Sequence, residues 1–197
     1  MQAARERRGL RVGLDIDGVI YKWADTARYL LNTQRGYSLG ESTHWNYLQY
    51  NVSSEDWHWL WKEGVQLGLF RYGHLYKGAI EGIKALAERA EIHIVTHRPL
   101  QAINDTLSFL SYLTGTPEMR GVFSGVHILT EQEPKSSIGA DVYIDDSSDV
   151  ADELVLALKV CLLWDRPWNQ GFQHATRVRS WEEVLRYIDN LKESACH

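Results

Sequence analysis

The feature that most constrains this chain is an apolar run near its start that ends in two acids and a glycine. The run Leu10-Arg11-Val12-Gly13-Leu14 is followed by Asp15-Ile16-Asp17-Gly18 and then by Val19-Ile20. Such a density of apolar side chains is typical of a strand buried on both faces in a parallel sheet. Acids at the C-terminal end of such a strand lie where open α/β sheets bind their ligands. If this pair acts on a phosphate, it needs a divalent cation to offset the repulsion between anions.

Composition places the chain among ordinary globular proteins. Its 197 residues are 44% hydrophobic and 24% charged, which allows one full domain with room for an inserted subdomain. With 21 Lys and Arg against 26 Asp and Glu, the net charge is −5, which argues against a protein that tracks a nucleic-acid polymer. A mononucleotide is not excluded, because local donors can hold one small anion.

The cysteines and the apolar runs favour a cytoplasmic protein without a membrane partner. Cys161 lies inside an apolar run and Cys196 is next to last, which argues against a disulfide framework or a thiolate metal site. No apolar run reaches transmembrane length, and no signal-peptide pattern is found. Residues 1–9 are expected to form a loose leader.

Helical and strand patterns alternate through most of the chain. After the first strand, further strands are predicted at 91–96, 126–130, 141–146 and 160–164. Helices are predicted at 24–35, from Ser53 onward, and at 80–87, 98–114, 148–159 and 181–192. This alternation predicts an α/β fold with a doubly wound parallel sheet of about five strands.

The connection after the first strand is the exception to this pattern. About fifty-five residues separate that strand from the helix at Gly78, far more than a crossover requires. Residues 21–76 are therefore predicted to form a small helical cap over the strand ends, inserted into a core of residues 10–20 and 77–197. Five of the eight tryptophans lie in this region: Trp23, Trp45, Trp57, Trp59 and Trp61.

Polar residues follow the strand ends in a definite order. The four signals are Asp15-x-Asp17-Gly18, Thr96, Lys135 and Asp145-Asp146. Each one alone has a structural explanation, such as an Asp turn, a helix cap, a solvated lysine or a partner for a helix dipole. Their joint occurrence, in an order that one reaction requires, favours a catalytic site.

This order resembles that of the haloacid dehalogenase superfamily of phosphotransferases, which have a Rossmann-like sheet. The resemblance covers residues 10 to about 165 and is least specific in the cap. It implies that Asp15 is the nucleophile, which forms an aspartyl phosphate, and that Asp17 is the general acid and base. It also implies that Thr96 and Lys135 hold the phosphate oxygens.

The same resemblance implies a Mg²⁺ cofactor. Its ligands would be the carboxylate of Asp15, the backbone carbonyl of Asp17 and the pair Asp145 and Asp146. The sheet order that the resemblance implies makes the first and fourth strands neighbours, which places this pair beside Asp15. Which acid of the pair contacts the metal is left open.

Several segments resemble a narrower branch, the 5′(3′)-deoxyribonucleotidases of the 5′-nucleotidase C type. They are residues 78–80, 94–99, 143–147, 165–169 and 179–183. The resemblance implies a Mg²⁺-dependent phosphomonoesterase that hydrolyses nucleoside or deoxynucleoside monophosphates to nucleoside and phosphate. Trp23 matches an aromatic position that lines the base pocket in that branch, and base–aromatic stacking is worth about 1–3 kcal/mol per base.

Other residues near the predicted site have two interpretations each. His97 stands where the branch commonly has a small residue, so it either crowds or contacts the phosphate. Arg98 either reaches the phosphate or caps the helix that follows it. Trp57 and Trp61, one helical turn apart, are interpreted as the core of the cap itself. Trp45 and Trp59 are left open between lining the pocket and packing.

Two other functions remain as alternatives. One is a phosphatase of the same superfamily that acts on a sugar phosphate or on a 3′-phosphate end. The acidic balance counts against the polymer end, and the aromatic cap counts against the sugar. The other is a nucleotide-binding module without turnover. The expected partner is a small nucleotide rather than a nucleic-acid polymer, and the oligomeric state is open, with a homodimer as one alternative.

Overall fold

The structure, a computed structural model, describes residues 9–44 and 46–194, apart from the side chain of Leu48. Most of the expected leader, Trp45 and Cys196 therefore lie outside the described residues. Within the described part of the chain, no helix is both long and apolar enough to cross a membrane.

A parallel sheet of six strands forms the centre of the molecule. The strands are β1 (Arg11–Leu14), β2 (Glu91–Thr96), β3 (Phe123–Ile128), β4 (Val142–Asp145), β5 (Val160–Trp164) and β6 (Thr176–Val178). Their order in the sheet is β3-β2-β1-β4-β5-β6. This confirms the predicted α/β fold with a doubly wound parallel sheet, and it makes β1 and β4 neighbours as expected.

The sheet differs from the prediction at its two edges. The sixth strand was missed because β6 has three residues and no apolar run, and it pairs with β5 only through Leu162, Leu163 and Trp164. The strand predicted at 126–130 begins earlier, at Phe123, because its pairing with β2 starts at Ile92. Gly125 and the exposed Ser124 hid this start from the apolar pattern.

The described residues form six α-helices. They are α1 (Trp23–Arg35), α2 (Ser54–Trp59), α3 (Ala79–Ala87), α4 (Ile103–Leu113), α5 (Ser148–Leu156) and α6 (Trp181–Ser194). The predicted helix ends are confirmed at two places. The amide of Asp56 donates to the hydroxyl of Ser53 at the start of α2. Gly36 ends α1 at a φ of 76°, a conformation that glycine adopts without steric cost.

Residues 21–76, called the insert below, connect β1 to α3. They contain α1, α2 and a π-helical turn, Leu60–Gly64, that continues α2. Apolar side chains of the insert, such as Leu31 and Leu60, belong to the same buried cluster as Leu14 of β1. The division of the chain into a cap and a core stays a prediction.

The register of the central strands brings their C-terminal ends to one edge of the sheet. Leu14 of β1 pairs with Ile94 of β2 on one side and with Ile144 of β4 on the other. The residues that follow in each strand therefore emerge together at this edge, where the strand order reverses and open α/β sheets bind ligands.

Candidate active site

The turn after β1 is built around Asp15 and Gly18. The amide of Asp15 donates to the carbonyl of Ile144, at 3.0 Å, which extends the pairing with β4 past the last residue of the strand. Gly18 has a φ of 73°, and a Cβ there would lie 1.9 Å from Oδ2 of Asp146. A glycine is therefore required for this turn and for the close approach of Asp146.

Lys135 joins two of the predicted acids. Its Nζ donates to Oδ1 of Asp15 at 2.8 Å and to Oδ2 of Asp145 at 2.7 Å, and all three side chains are buried. Burial alone opposes the charged amine, but the attraction of Asp145 and Asp15 outweighs it and raises the pKa of Lys135 above its ordinary value. Lys135 is therefore a fixed positive charge at the centre of the site.

Three carboxylates converge around this charge. Asp15, Asp145 and Asp146 each place one oxygen so that the three oxygens lie within 4.8 Å of one another. Burial raises the pKa of Asp15 to about 7, although the nearby Lys135 acts in the opposite direction. Burial, with the charges of Asp145 and Asp15, also raises the pKa of Asp146 well above its ordinary value. Lys135 alone therefore does not offset the repulsion among the three acids, and their oxygens suit a hard divalent cation.

The loop after β5 holds Asp146 in place. Nε1 of Trp168 donates to Oδ2 of Asp146 at 2.8 Å, and Nδ2 of Asn169 donates to the Asp146 carbonyl at 2.8 Å. Asn169 also donates to the carbonyl of Trp164, the last residue of β5. The sequence indicated residues 165–169 as a segment of resemblance but gave them no role.

Asp17 and Arg98 form a two-point ion pair. Nε of Arg98 donates to Oδ2 of Asp17 and Nη2 donates to Oδ1, both at 2.8 Å. Nη1 of Arg98 donates to the carbonyl of Phe70 in the insert at 2.9 Å. The expected phosphate contact of Arg98 stays a prediction, since its observed partners are protein groups.

Thr96 and His97 follow β2 on the same edge of the sheet. Thr96 is almost completely buried at the end of the strand and lines the cavity described below. Nε2 of His97 lies 2.9 Å from the carbonyl of Glu133. Burial, followed by the positive charge of Lys135, lowers the pKa of His97 below its ordinary value of 6.5. His97 is therefore mainly neutral at neutral pH.

One cavity of about 680 Å³ connects these groups to the aromatic side chains of the insert. Asp15, Asp17, Thr96, His97, Arg98, Lys135, Asp145 and Asp146 all line it. The sequence-predicted site residues are thus brought together at one place, and Trp23 lies on the same cavity.

The aromatic wall of the cavity is larger than the sequence predicted. Trp23 stacks on Trp61 with ring centroids 5.5 Å apart, and Trp57 packs edge-on against both rings. Trp57 and Trp61 also line the cavity, so their interpretation as core of the cap alone was incomplete. Trp59 instead packs beneath the guanidinium of Arg35, 5.3 Å from its ring centroid.

Comparison with known protein families assigns the chain to one of them. The family described as 5′ nucleotidase, deoxy (pyrimidine), cytosolic type C protein matches residues 8–194. The chain belongs to this family. It is therefore an enzyme of the haloacid dehalogenase superfamily, a phosphatase of the cytosolic type C 5′-nucleotidase family.

Solved structures support the same fold at low sequence identity. A haloacid dehalogenase-like hydrolase from Streptococcus pneumoniae is 13% identical with a TM-score of 0.64, covering 91% of this chain and 98% of its own. The hydrolase YfnB from Bacillus subtilis, described as bound to magnesium, is 14% identical with a TM-score of 0.62. The match covers 93% of this chain and 100% of YfnB.

A dehalogenase shares the fold as well. The L-2-haloacid dehalogenase from Xanthobacter autotrophicus, described with chloropropionic acid covalently bound, is 11% identical with a TM-score of 0.60, covering 92% of this chain and 98% of its own. A comparison with curated protein sequences gives no significant match. The structural likeness therefore indicates the fold, and the family match indicates the phosphatase.

Proposed function

We propose that this phosphatase hydrolyses nucleoside or deoxynucleoside monophosphates to nucleoside and phosphate in a Mg²⁺-dependent reaction. The observation that carries the proposal is that one cavity is lined both by the acid cluster with Lys135 and by the stacked tryptophans of the insert, Trp23, Trp57 and Trp61. With its phosphate at the acids, a nucleotide would have its aromatic base within this cavity to stack on these rings. Membership of the 5′-nucleotidase family supports the same substrate class.

The donor set fits a magnesium ion. Mg²⁺ prefers carboxylate, carbonyl and water oxygens, which the Asp15, Asp145 and Asp146 cluster supplies. Both oxygens of Asp145 already accept hydrogen bonds, from Lys135 and from the amide of Ser147. We therefore assign the metal-binding carboxylates to Asp15 and Asp146, together with the carbonyl of Asp17. When bound, the ion would neutralise this cluster and polarise a phosphate oxygen.

We propose Asp15 as the nucleophile. Lys135 holds its carboxylate by a hydrogen bond to Oδ1, at the cavity where the phosphate would bind. An oxygen of this carboxylate forms a bond to phosphorus while the bond to the nucleoside oxygen breaks, and Asp17 gives the leaving oxygen a proton. The product of this step is an aspartyl phosphate on Asp15 and a free nucleoside.

The second step returns the enzyme to its first state. Asp17 takes a proton from a water molecule, whose oxygen attacks phosphorus and displaces the Asp15 carboxylate. Inorganic phosphate leaves, and Asp15 is again a carboxylate. Lys135 and the hydroxyl of Thr96 stabilise the oxygens that gain negative charge in both steps.

Substrate profiling tests this proposal. Phosphate release should be measured from dTMP, dUMP, UMP, 3′-nucleotides and sugar phosphates, with Mg²⁺ and with a chelator. We expect nucleoside monophosphates to give the highest kcat/KM and the chelator to abolish turnover. Faster turnover of sugar phosphates than of any nucleotide would overturn the substrate assignment.

The nucleophile is tested separately with Asp15→Asn. This variant should lose almost all phosphate release, whereas Asp152→Asn, at an exposed position of α5, should retain it. Equal rates in wild type and Asp15→Asn would overturn the mechanism and favour the nucleotide-binding module.

A cytoplasmic setting is in keeping with the cytosolic description of the family. A homodimer stays a prediction.

A further inference from the structure

Arg98 is the largest completely buried side chain among the described residues. Its side chain is 0% exposed, and its carboxylate partner is Asp17, whose side chain is 25% exposed. A buried guanidinium is costly unless it is paired and hydrogen-bonded. The position of Arg98 is therefore fixed by this pair and by the groups around it.

Three aromatic rings enclose the guanidinium. Its Cζ lies 4.9 Å from the ring centroid of Tyr21, 5.0 Å from that of Phe70 and 5.3 Å from that of Phe109. Contacts of this kind between a guanidinium and an aromatic ring are attractive, and they are stronger when water is excluded. The rings therefore hold the guanidinium plane in one orientation, and that plane determines where Asp17 can lie.

The same groups bind the end of the insert, residues 69–73, called the return segment below. Arg98 donates to the carbonyl of Phe70, and the hydroxyl of Tyr21 donates to the carbonyl of Leu69. The amide of Gly73 donates to the Tyr21 hydroxyl. Arg98 thus joins Asp17 to the return segment, whose Phe70 also lines the cavity.

We propose that Arg98 is a positioning residue that holds the carboxyl group of Asp17 for proton transfer and sets its orientation relative to the return segment. The inference rests on the proposed function, in which Asp17 is the general acid and base. Two parallel hydrogen bonds from a guanidinium fix both the place and the plane of a carboxyl group. Lysine, with a single ammonium centre, fixes only its place.

The two-point contact suits proton transfer because the oxygens have separate roles. One oxygen of Asp17 carries the proton that passes to the ester oxygen as its bond to phosphorus breaks. The other oxygen keeps its hydrogen bond from Arg98, so the carboxyl group stays aligned. In the second step the proton passes from water back to Asp17. Arg98 keeps its proton and its charge throughout.

The experiment compares two substrates that differ in their need for an acid. The nucleoside oxygen of dTMP needs a proton to leave, whereas the phenolate of p-nitrophenyl phosphate leaves without one. Positioned acids and bases contribute about 10²–10⁴ to rate, so Arg98→Met should lower kcat for dTMP by about 100-fold at nearly constant KM. The rate at which p-nitrophenyl phosphate forms the aspartyl phosphate, measured as the burst of p-nitrophenolate, should fall by less than about tenfold.

Two further variants separate positioning from a general structural role. Arg98→Lys should recover part of the dTMP rate, and Asp17→Asn/Arg98→Met should be no slower than Asp17→Asn alone. The matched control is Arg89→Met, which removes a guanidinium that pairs with Asp189 of α6 and lies outside the cavity lining. This control should leave the rates with both substrates unchanged. Thermal unfolding of each variant shows that it is folded, and Arg98→Lys carries the comparison if Arg98→Met does not fold.

Distinct results would overturn the inference. Equal losses on the two substrates, or losses that add to those of Asp17→Asn, would assign Arg98 a structural role. A higher KM with unchanged kcat in Arg98→Met would indicate that Arg98 binds the phosphate of the substrate instead. If wild type releases phosphate from neither substrate, the proposed function fails first. If wild type is active and Arg98→Met shows no preference between leaving groups, only this inference fails.

Discussion

Nε1 of Trp168 donates a hydrogen bond to Oδ2 of Asp146 across 2.8 Å, from a loop that follows the neighbouring strand β5. The pair links an indole to one of the acids assigned to the metal. The backbone of Asp146 is held by the same loop, through Asn169. Side chains that orient metal ligands in this way are typically worth 10–100-fold in metal affinity or activity.

Trp168→Phe should therefore weaken Mg²⁺ binding. Phenylalanine keeps an aromatic ring in the loop but removes the N–H that fixes Oδ2 of Asp146. We expect the Mg²⁺ dissociation constant, measured by titration calorimetry, to rise by about tenfold. Trp59→Phe, in the insert and outside the cavity lining, is the control and should bind Mg²⁺ as wild type does. Unchanged affinity in Trp168→Phe would show that Asp146 is oriented by other contacts.

Lys135→Met should lower both stability and activity. The substitution removes the buried cation that compensates Asp15 and Asp145 and leaves two acids without their hydrogen-bond donor. Removing one partner of a buried ion pair costs roughly 3–5 kcal/mol. Urea unfolding without metal at pH 8 measures this loss, and Lys62→Met, whose side chain is 85% exposed, should change the free energy of unfolding by less than about 0.5 kcal/mol. A loss equal to that of the control would contradict the central role of Lys135.

The acid cluster makes the metal-free protein depend on pH in a defined direction. Burial raises the pKa of Asp15 from 3.8 to about 7, so folding disfavours the ionised form of this acid. The folded state then binds more protons than the unfolded state between these values, and stability falls as pH rises from about 4 to about 7. Above pH 7 this contribution no longer changes.

Magnesium should reverse this loss, because it binds the deprotonated carboxylates. The increase in melting temperature on adding Mg²⁺ should be larger at pH 8 than at pH 5.5. Calorimetry at pH 6 in buffers of different ionisation enthalpy should show proton release on binding, and Asp15→Asn should release fewer protons. An Mg²⁺-induced shift that is the same at both pH values would refute this coupling.

The sequence predicted those parts of the fold that residues close together in the chain determine. The run before Asp15 has the composition of a buried strand, and the ends of α1 and α2 depend on Gly36 and on the Ser53 hydroxyl. The three-residue strand β6 has no such signal, since its backbone pairs with β5 only after the sheet has formed.

The site shows the same division. The order of its acids, with Thr96 and Lys135, was readable along the chain because each follows a predicted strand or precedes one. The partner of Arg98 was not readable, because Asp17 lies 81 residues away and nothing local specifies the pair. The indole of Trp168 also reaches Asp146 from 22 residues away, across the gap between two strand ends.

The aromatic wall should set affinity for the base. Trp23→Leu removes one face of the wall, and a stacked base contributes about 1–3 kcal/mol, so KM for dTMP should rise about 5- to 150-fold. Turnover of ribose 5-phosphate, which has no base, should keep its KM. Trp59→Leu, whose ring packs under Arg35, is the matched control. If Trp23→Leu raises KM equally for both substrates, the ring acts on the shape of the cavity rather than on the base.

The charge of the cavity should restrict substrates to a single phosphate. Among the described residues that line it, the cations are Arg98 and Lys135, and both are paired with carboxylates. Besides the acid cluster, the lining includes the acidic residues Glu131, Glu133, Asp149 and Glu153. We expect a second phosphate, as in dTDP or in thymidine 3′,5′-bisphosphate, to be repelled by these carboxylates without a free cation to offset them.

We expect kcat/KM for dTMP to exceed that for the bisphosphate by about tenfold or more at low salt, because like charges in contact cost about 1 kcal/mol each even in water. Glu131→Gln/Glu153→Gln should narrow this ratio, and Glu193→Gln, at an exposed position of α6, should not. The ratio should also fall as salt rises, since charges more than about 10 Å apart are screened at 0.1 M. A preference that neither salt nor the double variant changes would mean that the shape of the cavity, not its charge, excludes the second phosphate.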